Sequence, residues 1–432
     1  MEPEPFNYIV AQDLEYAWLN FEPDIPLPPL PNGEQNPFYV TRPDNEMTKL
    51  QQALLLPFRQ PPKYFLSGHR GCGKSTELYR LAANPDISNK YWVVHFSIRD
   101  QADINDLDYK DVLLIIGFQL YEQYRKAGGK LEKGLLKELN DWRGDIAEEI
   151  TILQSGRIEG GLDAKLSVGF AELTSKIKLE PKTRHQIRQV FDRNITGLLG
   201  VINNITAAIQ GKEKKTPLIL IDDLDKPDLA IARNIFYDHQ ELMLRPNCPI
   251  VYTISSSLFY DQAITAARAK THFLPNIKLH EKGNHSARYS PGYHALRMFV
   301  HQRMLPDLIN DEALELAITM SGGVFREVAR LLRDSIAQAR IGGRHQITRE
   351  DVDRGVIELR NTYWRILTAE QRDYLQQLRQ DNQPLNPEIL APLLTMLAAL
   401  EYNGEGTWYD IHPVLAELLA ALPEEPDAKT LT

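Results

Sequence analysis

The sequence predicts an α/β fold: a parallel sheet with helices on both faces, broken by one long insertion and followed by helix-rich units. Three observations predict it. Short apolar runs at Lys63–Ser67, Tyr91–Ile98, Pro217–Ile221 and Pro249–Ser255 alternate with stretches of helical spacing. The gap between the second and third runs, Arg99 to Thr216, is too long for a plain crossover and needs structure of its own. A glycine-rich stretch, Gly68 to Thr76, joins the first strand to a helix over Ser75–Ala83. The length of 432 residues suits two or three folded units, and 43% apolar with 25% charged residues is ordinary for a globular chain.

Taken in order, residues 1–36 are rich in proline and acid (Pro26, Pro28, Pro29, Pro31). They are expected to run extended, either lying over the next domain through Tyr8, Tyr16, Trp18 and Phe21 or forming a loosely attached leader. Met47, Leu50, Ala53 and Leu54 share one helical face, and Pro61-Pro62 stops that helix. The core spans 37–289 and contains a helical insertion at 101–215. Within the insertion, Tyr109–Leu139 is helical in pattern and Thr183–Gln210 reads as one long helix. Alternation at Lys165–Val168 and Lys176–Leu179 predicts a β-hairpin between them. Residues 290–357 form a helical unit. Residues 358–422 carry helices near Thr368–Arg379 and Asn386–Leu400, a Gly404-Glu405-Gly406 turn, an extended Thr407–Ile411 and a closing helix after Pro413. That order suggests a winged-helix domain. The acidic tail, 423–432, is expected to be disordered.

Charge and cysteine usage narrow the function. A net charge of -9 argues against a surface coated with basic residues for nucleic acid. Basic and acidic residues nearly balance within the insertion, so no channel for nucleic acid is indicated there. Two cysteines, Cys72 and Cys248, make no disulfide framework, and a reduced, cytoplasmic compartment is expected. The first residues lack the basic and apolar regions of a signal peptide, and no apolar stretch approaches the ~20 residues of a membrane span. Cysteine and histidine show no spacing of a zinc site.

One motif carries chemistry. Gly68-His69-Arg70-Gly71-Cys72-Gly73-Lys74-Ser75 fits G-x-x-x-x-G-K-[ST] throughout, and Thr76 follows. The glycines let backbone N–H groups close around phosphate, and the helix that follows adds its positive end. Lys74 places a charge on the β- and γ-phosphates, and Ser75 offers a hydroxyl to Mg²⁺. The expected ligands are therefore ATP and Mg²⁺. Downstream, Leu218-Ile219-Leu220-Ile221 is a buried central strand ending in Asp222-Asp223. Ligands of open α/β sheets sit at that edge. Asp222 is placed in the Mg²⁺ shell with Ser75, and Asp223 is placed to orient or deprotonate the attacking water.

These residues resemble the AAA+ and STAND-like P-loop ATPases, in particular the initiator-type subgroup and its bacterial conflict-system relatives. The resemblance covers roughly 37–355 apart from the insertion. The Asp222-Asp223-Leu224-Asp225 run also resembles KAP-type ATPases. The resemblance implies a P-loop NTPase core with a helical insertion, a helical AAA+ lid and a C-terminal winged-helix domain. Phe38–Arg42 looks like the segment that packs on adenine, which assigns Val40 and Arg42 to nucleotide binding. Ser255, with Thr253 as alternate, takes the polar sensor position at the end of the fourth strand. Ser321-Gly322-Gly323-Val324-Phe325-Arg326-Glu327 is similar to the lid motif in which an arginine, here Arg326, senses the γ-phosphate. Thr348 with Asp351 looks like the helix start that closes such lids. An arginine finger from a neighbouring subunit falls to Arg268, with Arg245 and Arg233 as rivals. Most hydrolysing relatives carry Glu where this chain has Asp223, which implies slow turnover.

The expected activity is ATP binding and hydrolysis by a nucleotide-dependent switch that controls protein assembly. A bacterial defence or signalling role follows from resemblance alone. The insertion and the C-terminal domain are the expected surfaces for a protein partner, a homo-oligomer stays open, and a membrane is not expected. The alternative is a DNA-associated AAA+ ATPase: an initiator, loader or transposition regulator. Against it, the helix predicted over Pro387–Leu400 has no Lys or Arg, and phosphate contacts need cations.

Overall fold

The structure, a computed structural model, describes residues 8–30, 33–149, 161–259, 270–381, 386–404 and 406–420. Helices of seven residues or more are numbered. Five strands form the main sheet: β1 (Lys63–Gly68), β2 (Tyr91–Ser97), β3 (Thr216–Asp222), β4 (Ile250–Thr253) and β5 (Lys270–Leu274). Their order is β2-β3-β4-β1-β5, and the β2–β3, β3–β4 and β4–β1 pairs are parallel. This is the predicted α/β sheet. Central strands read as unbroken apolar runs because both faces are covered; every residue of β3 after Thr216 is buried. Register aligns Ser97, the last residue of β2, with Asp222, the last of β3. Polar side chains from separate strands therefore emerge at one edge.

The chain divides into two compact units, and it passes from one to the other inside the glycine-rich motif, between Gly73 and Lys74. The first unit, Glu46–Ser67 with Lys74–Phe273, holds the sheet and the insertion. Its helices are α2 (Glu46–Leu55), α3 (Lys74–Ala83), α4 (Tyr109–Lys126), α5 (Lys133–Glu149), α6 (Leu162–Leu179) and α7 (Pro181–Glu213). The insertion shares one core with the sheet: Val94, Ile219 and Ile221 are continuous with Leu113, Ile116, Phe170, Leu173 and Ile202. Each such side chain contributes about 1.5–3 kcal/mol on burial, so the insertion folds with the sheet as one body. Helix α4 is buried nearly all round, including Lys110, Asp111, Gln119 and Glu122, and Val112 through Ile116 are fully buried.

The predicted hairpin in the insertion is not there: Lys165–Val168 and Lys176–Leu179 both lie on α6. Short alternation misled, while the longer window carries helical spacing through Leu166, Phe170, Leu173 and Ile177, all buried. The long helix predicted after it is present as α7, bent at Asn194, whose φ is -133°. The Asn194 side chain accepts from the Gly197 amide at 3.2 Å, giving the backbone a competing partner at the bend.

The second unit comprises Met1–Asn45, Gly68–Gly73 and Leu274–Thr432. It contains α1 (Leu14–Asn20), the antiparallel pair β6 (His280–Glu281) and β7 (Asn284–Arg288), then α8 (Ser290–His301), α9 (Asp311–Met320), α10 (Phe325–Ile341), α11 (Arg349–Ile366), α12 (Ala369–Asp381), α13 (Pro387–Thr395), β8 (Ala399–Asn403) and β9 (Thr407–Ile411). The leader expected to be extended instead carries α1, started by the Asp13 carboxylate accepting from the Tyr16 amide at 2.9 Å. Trp18 lies under Arg333 at 4.2 Å and Phe21 is buried near Phe299, whereas Tyr16 faces solvent. At the start of α11, Asp351 accepts from the Thr348 amide at 2.9 Å and its hydroxyl at 2.8 Å, the reciprocal cap that the sequence suggested.

Helix α13 stops at Thr395, short of the predicted Leu400. Leu397 adopts φ +66°, which ends the helix, and Ala399 onward pairs with Thr407–Ile411 as a hairpin. The 423–432 tail lies outside the described residues. Among the described residues no helix is long and apolar enough to cross a membrane.

Candidate functional site

The glycine-rich loop follows β1, and Gly68, Gly71 and Gly73 all take positive φ. At Gly71 the requirement is strict. A Cβ there would stand 2.3 Å from the Arg326 Cβ, and the Arg326 amide donates to the Gly71 carbonyl at 3.3 Å. Arg42 sets the loop from the other side. Its buried guanidinium donates to the Cys72 carbonyl at 2.6 Å, to the Pro275 carbonyl, and to Asp44 at 2.8 Å. Val40, two residues earlier, is half-buried, Arg70 is exposed, and Cys72 is a buried free thiol.

His69 has a role that the motif does not specify. It is fully buried. Its Nε2 accepts from the Glu401 amide at 2.8 Å, which puts the proton on Nδ1, facing the Leu394 carbonyl at 3.2 Å. The loop is thereby tied to the end of α13 and to β8. Tyr402 adds a bond from its hydroxyl to the Gly322 carbonyl at 2.7 Å.

Beyond the loop, α3 opens with Lys74 and Ser75, and Thr76 is its third residue. Lys74 is buried, and its Nζ lies 3.0 Å from the Asp225 carboxylate. Ser75 hydrogen-bonds Asp222, so the two predicted metal ligands meet. Burial, then the negative charges of Asp223 and Asp225, push the Asp222 carboxyl up to about 6. Ligand oxygens of Asp222, Asp223 and Asp225 all lie within 4.8 Å of one another. Asp223 sits at φ +63°, a conformation that Asp tolerates better than most residues. Its carboxylate accepts from the Ser97 hydroxyl at 2.6 Å. His95 lies nearby on β2, and burial lowers its pKa to about 4 despite the Asp223 charge, so it stays neutral. The donor set around Ser75 and Asp222 is entirely oxygen, which fits a hard cation such as Mg²⁺.

The sensor candidates fall differently. Thr253 is buried at the end of β4 and accepts from the Leu224 amide at 3.0 Å, one residue past Asp223. Ser255 accepts from the Leu258 amide at 3.2 Å and so caps the short helix that follows. Arg326 pairs with Asp24 at 2.9 Å and donates to the Pro23 carbonyl at 3.4 Å, so the N-terminal segment holds its head. Arg268 lies outside the described residues, and Arg233 and Arg245 are exposed. Sequence reasoning missed Ser97, Asp225 as the partner of Lys74, and His69 as a tie. The β2–β3 register would have given Ser97, since parallel neighbours end at one edge.

No protein-family model matches the chain, and no curated protein matches it. Among solved structures it is similar to Cdc6p from Pyrobaculum aerophilum, with 12% identity, 93% of this chain and 97% of that chain covered, and a TM-score of 0.40. It is similar to the ADP form of the Aeropyrum pernix ORC2 protein, with 12% identity, 93% and 95% covered, and a TM-score of 0.42. The Thermotoga maritima RuvB Holliday junction branch migration motor matches at 11% identity, 88% and 94% covered, with a TM-score of 0.36. These likenesses are distant.

Proposed function

We propose that the chain is a slow ATPase of the AAA+ kind that works as a nucleotide-dependent switch, with the C-terminal α12–β9 module, read as a winged helix, as its output. The observation that carries this reading is the His69 tie. Both ring nitrogens of His69, a residue inside the phosphate loop, hydrogen-bond the backbone of that module. Any rearrangement of the loop around phosphate must break or move those bonds.

Lys74 exchanges Asp225 for phosphate oxygens, which frees a carboxylate beside Asp222. Ser75 and Asp222 hold Mg²⁺, which when bound neutralises phosphate charge. Asp223 orients the attacking water and takes its proton once the Ser97 hydroxyl turns away. Arg326 must release Asp24 to reach a γ-phosphate. The module and the insertion then present altered surfaces to a protein partner or a second copy.

The test is hydrogen exchange of the 399–411 amides with and without ATP. In the wild type, ATP should change exchange there. His69→Ala should bind ATP within about threefold of wild type, under ~1 kcal/mol, and lose that response. An ATP-bound wild type with unchanged 399–411 exchange would sink the switch reading. Turnover strongly stimulated by duplex DNA and suppressed by salt would put the DNA-associated reading in its place.

A further inference from the structure

A second group of ligating side chains stands apart from the nucleotide motif in sequence and chemistry. His280 on β6, His285 on β7 and Asp410 on β9 bring one ligand atom each to within 4.8 Å of one another. Asp410 is buried. Its Oδ1 accepts from the Ile411 amide at 2.7 Å, and its Oδ2 faces both histidines. His285 Nε2 lies 2.6 Å from that oxygen and His280 Nε2 lies 3.3 Å from it.

The tautomer of His280 is set by its other nitrogen, which donates to the Glu281 carbonyl at 3.0 Å. That backbone bond is how metal-ligating histidines are commonly oriented. It leaves the Nε2 lone pair of the neutral ring pointing at a carboxylate oxygen. Two acceptors at 3.3 Å repel unless a proton or a cation lies between them. Trp408, 5.3 Å from His280 between ring centres, walls one side, and Tyr402 stacks on Trp408. The His285 side chain is 53% exposed, so the open side faces water.

We propose that His280, His285 and Asp410 bind a divalent first-row transition cation of the Zn²⁺ class, with water completing the shell. Two imidazoles and a carboxylate are the donor types such an ion takes, and three protein ligands with an open position are a known arrangement. Bonds of about 2.0–2.1 Å to a tetrahedral ion space the ligand atoms roughly 3.3 Å apart. The His280–Asp410 pair already has that spacing. His285 must retreat by roughly 0.7 Å, and it is the exposed ligand with room to do so. The ion would fasten the β6–β7 hairpin to β9, on the same module that grips His69.

The test uses the full chain without a polyhistidine tag, stripped with chelator and titrated with Co²⁺ and Zn²⁺. One equivalent of Co²⁺ should give the visible absorption of a four- or five-coordinate site, and Zn²⁺ should displace it. Zn²⁺ should raise the melting temperature by about 2 °C. His285→Ala, at a half-exposed position, should keep the far-ultraviolet dichroism of wild type. It should lose affinity by at least the roughly 10–100-fold seen when a ligand's own hydrogen-bond partner is removed. Asp222→Asn, in the other cluster, should leave the Co²⁺ spectrum unchanged. Equal Co²⁺ binding by wild type and His285→Ala, or no binding at all, would overturn the site and leave the trio as an ion pair.

Discussion

The two clusters of ligating side chains differ in how the chain assembles and neutralises them. Asp222, Asp223 and Asp225 come from one strand end, within four residues, and repel one another; buried Lys74 pairs with Asp225, and Lys226 lies 3.9 Å from Asp223. His280, His285 and Asp410 come from three strands, and both Nε2 atoms converge on a single carboxylate oxygen, with His285 at 2.6 Å supplying it a proton. Crowded like charges raise a pKa and store free energy that a cation or phosphate exchange can release. Complementary groups lower the acid's pKa and hold the chain together with or without an ion. One arrangement suits a site that must cycle; the other suits a fastening.

Removing the counter-charge should break this contrast most severely. Lys74→Ala removes the cation that pairs with Asp225 and takes the phosphate ligand away, so ATP affinity should fall by ~100-fold or more, on the scale of a lost buried charge pair. Isothermal titration measures it, and full retained affinity would end the phosphate-loop reading. Next comes Asp223→Asn, which should lower turnover by about 10²–10⁴ while nucleotide binding persists. Single-turnover hydrolysis beside equilibrium binding separates the two effects.

A smaller effect reads the contrast through its sign. The Asp222 pKa of about 6 lies above the unfolded value near 3.8, so its penalty is absent at low pH and grows as pH rises through 6. Asp222→Asn should therefore stabilise the nucleotide-free protein at pH 7.5 by on the order of 2 kcal/mol, and by little at pH 4. Asp410 runs the other way. Its depressed pKa gives stability that is present above about pH 4 and lost below it. His285, raised chiefly by its hydrogen bond to Asp410, contributes fully below about pH 6.5 and loses that contribution as pH rises further. Asp410→Asn should therefore destabilise where Asp222→Asn stabilises. Urea unfolding at several pH values tests both, and equal signs would collapse the distinction. The smallest effect belongs to His285→Ala without metal, within about 1 kcal/mol, since the ring is half in water.

The same contrast explains what could be read in the sequence. Contiguous motifs were legible: the Gly68–Ser75 loop, the apolar strand before Asp222, and the helix read from Ser75, which opens one residue earlier at Lys74. Each depends on neighbours in sequence, and each is where the residues placed it. Ser97 was hidden only by register. The His280–His285–Asp410 group was not legible, because its members are up to 130 residues apart and a hairpin turn sets their approach. The α6 segment failed for a different reason. Four-residue windows cannot separate a period of 2 from one of 3.6 when lysines fall among apolar residues. The run from Leu390 to Leu400 is apolar apart from Thr395, so periodicity could not show that Leu397 ends a helix and Ala399 begins a strand.

The tie at His69 has a further meaning for how such a chain changes over generations. In G-x-x-x-x-G-K-[ST] the x positions are those on which phosphate chemistry makes no demand. Here one of them is occupied by a side chain that answers to the far end of the polypeptide. A single codon at that position can rewire what the nucleotide commands and leave the glycines, Lys74 and Ser75 as they are. Regulation can thus be gained, lost or redirected at residue 69 while the reaction itself is inherited intact.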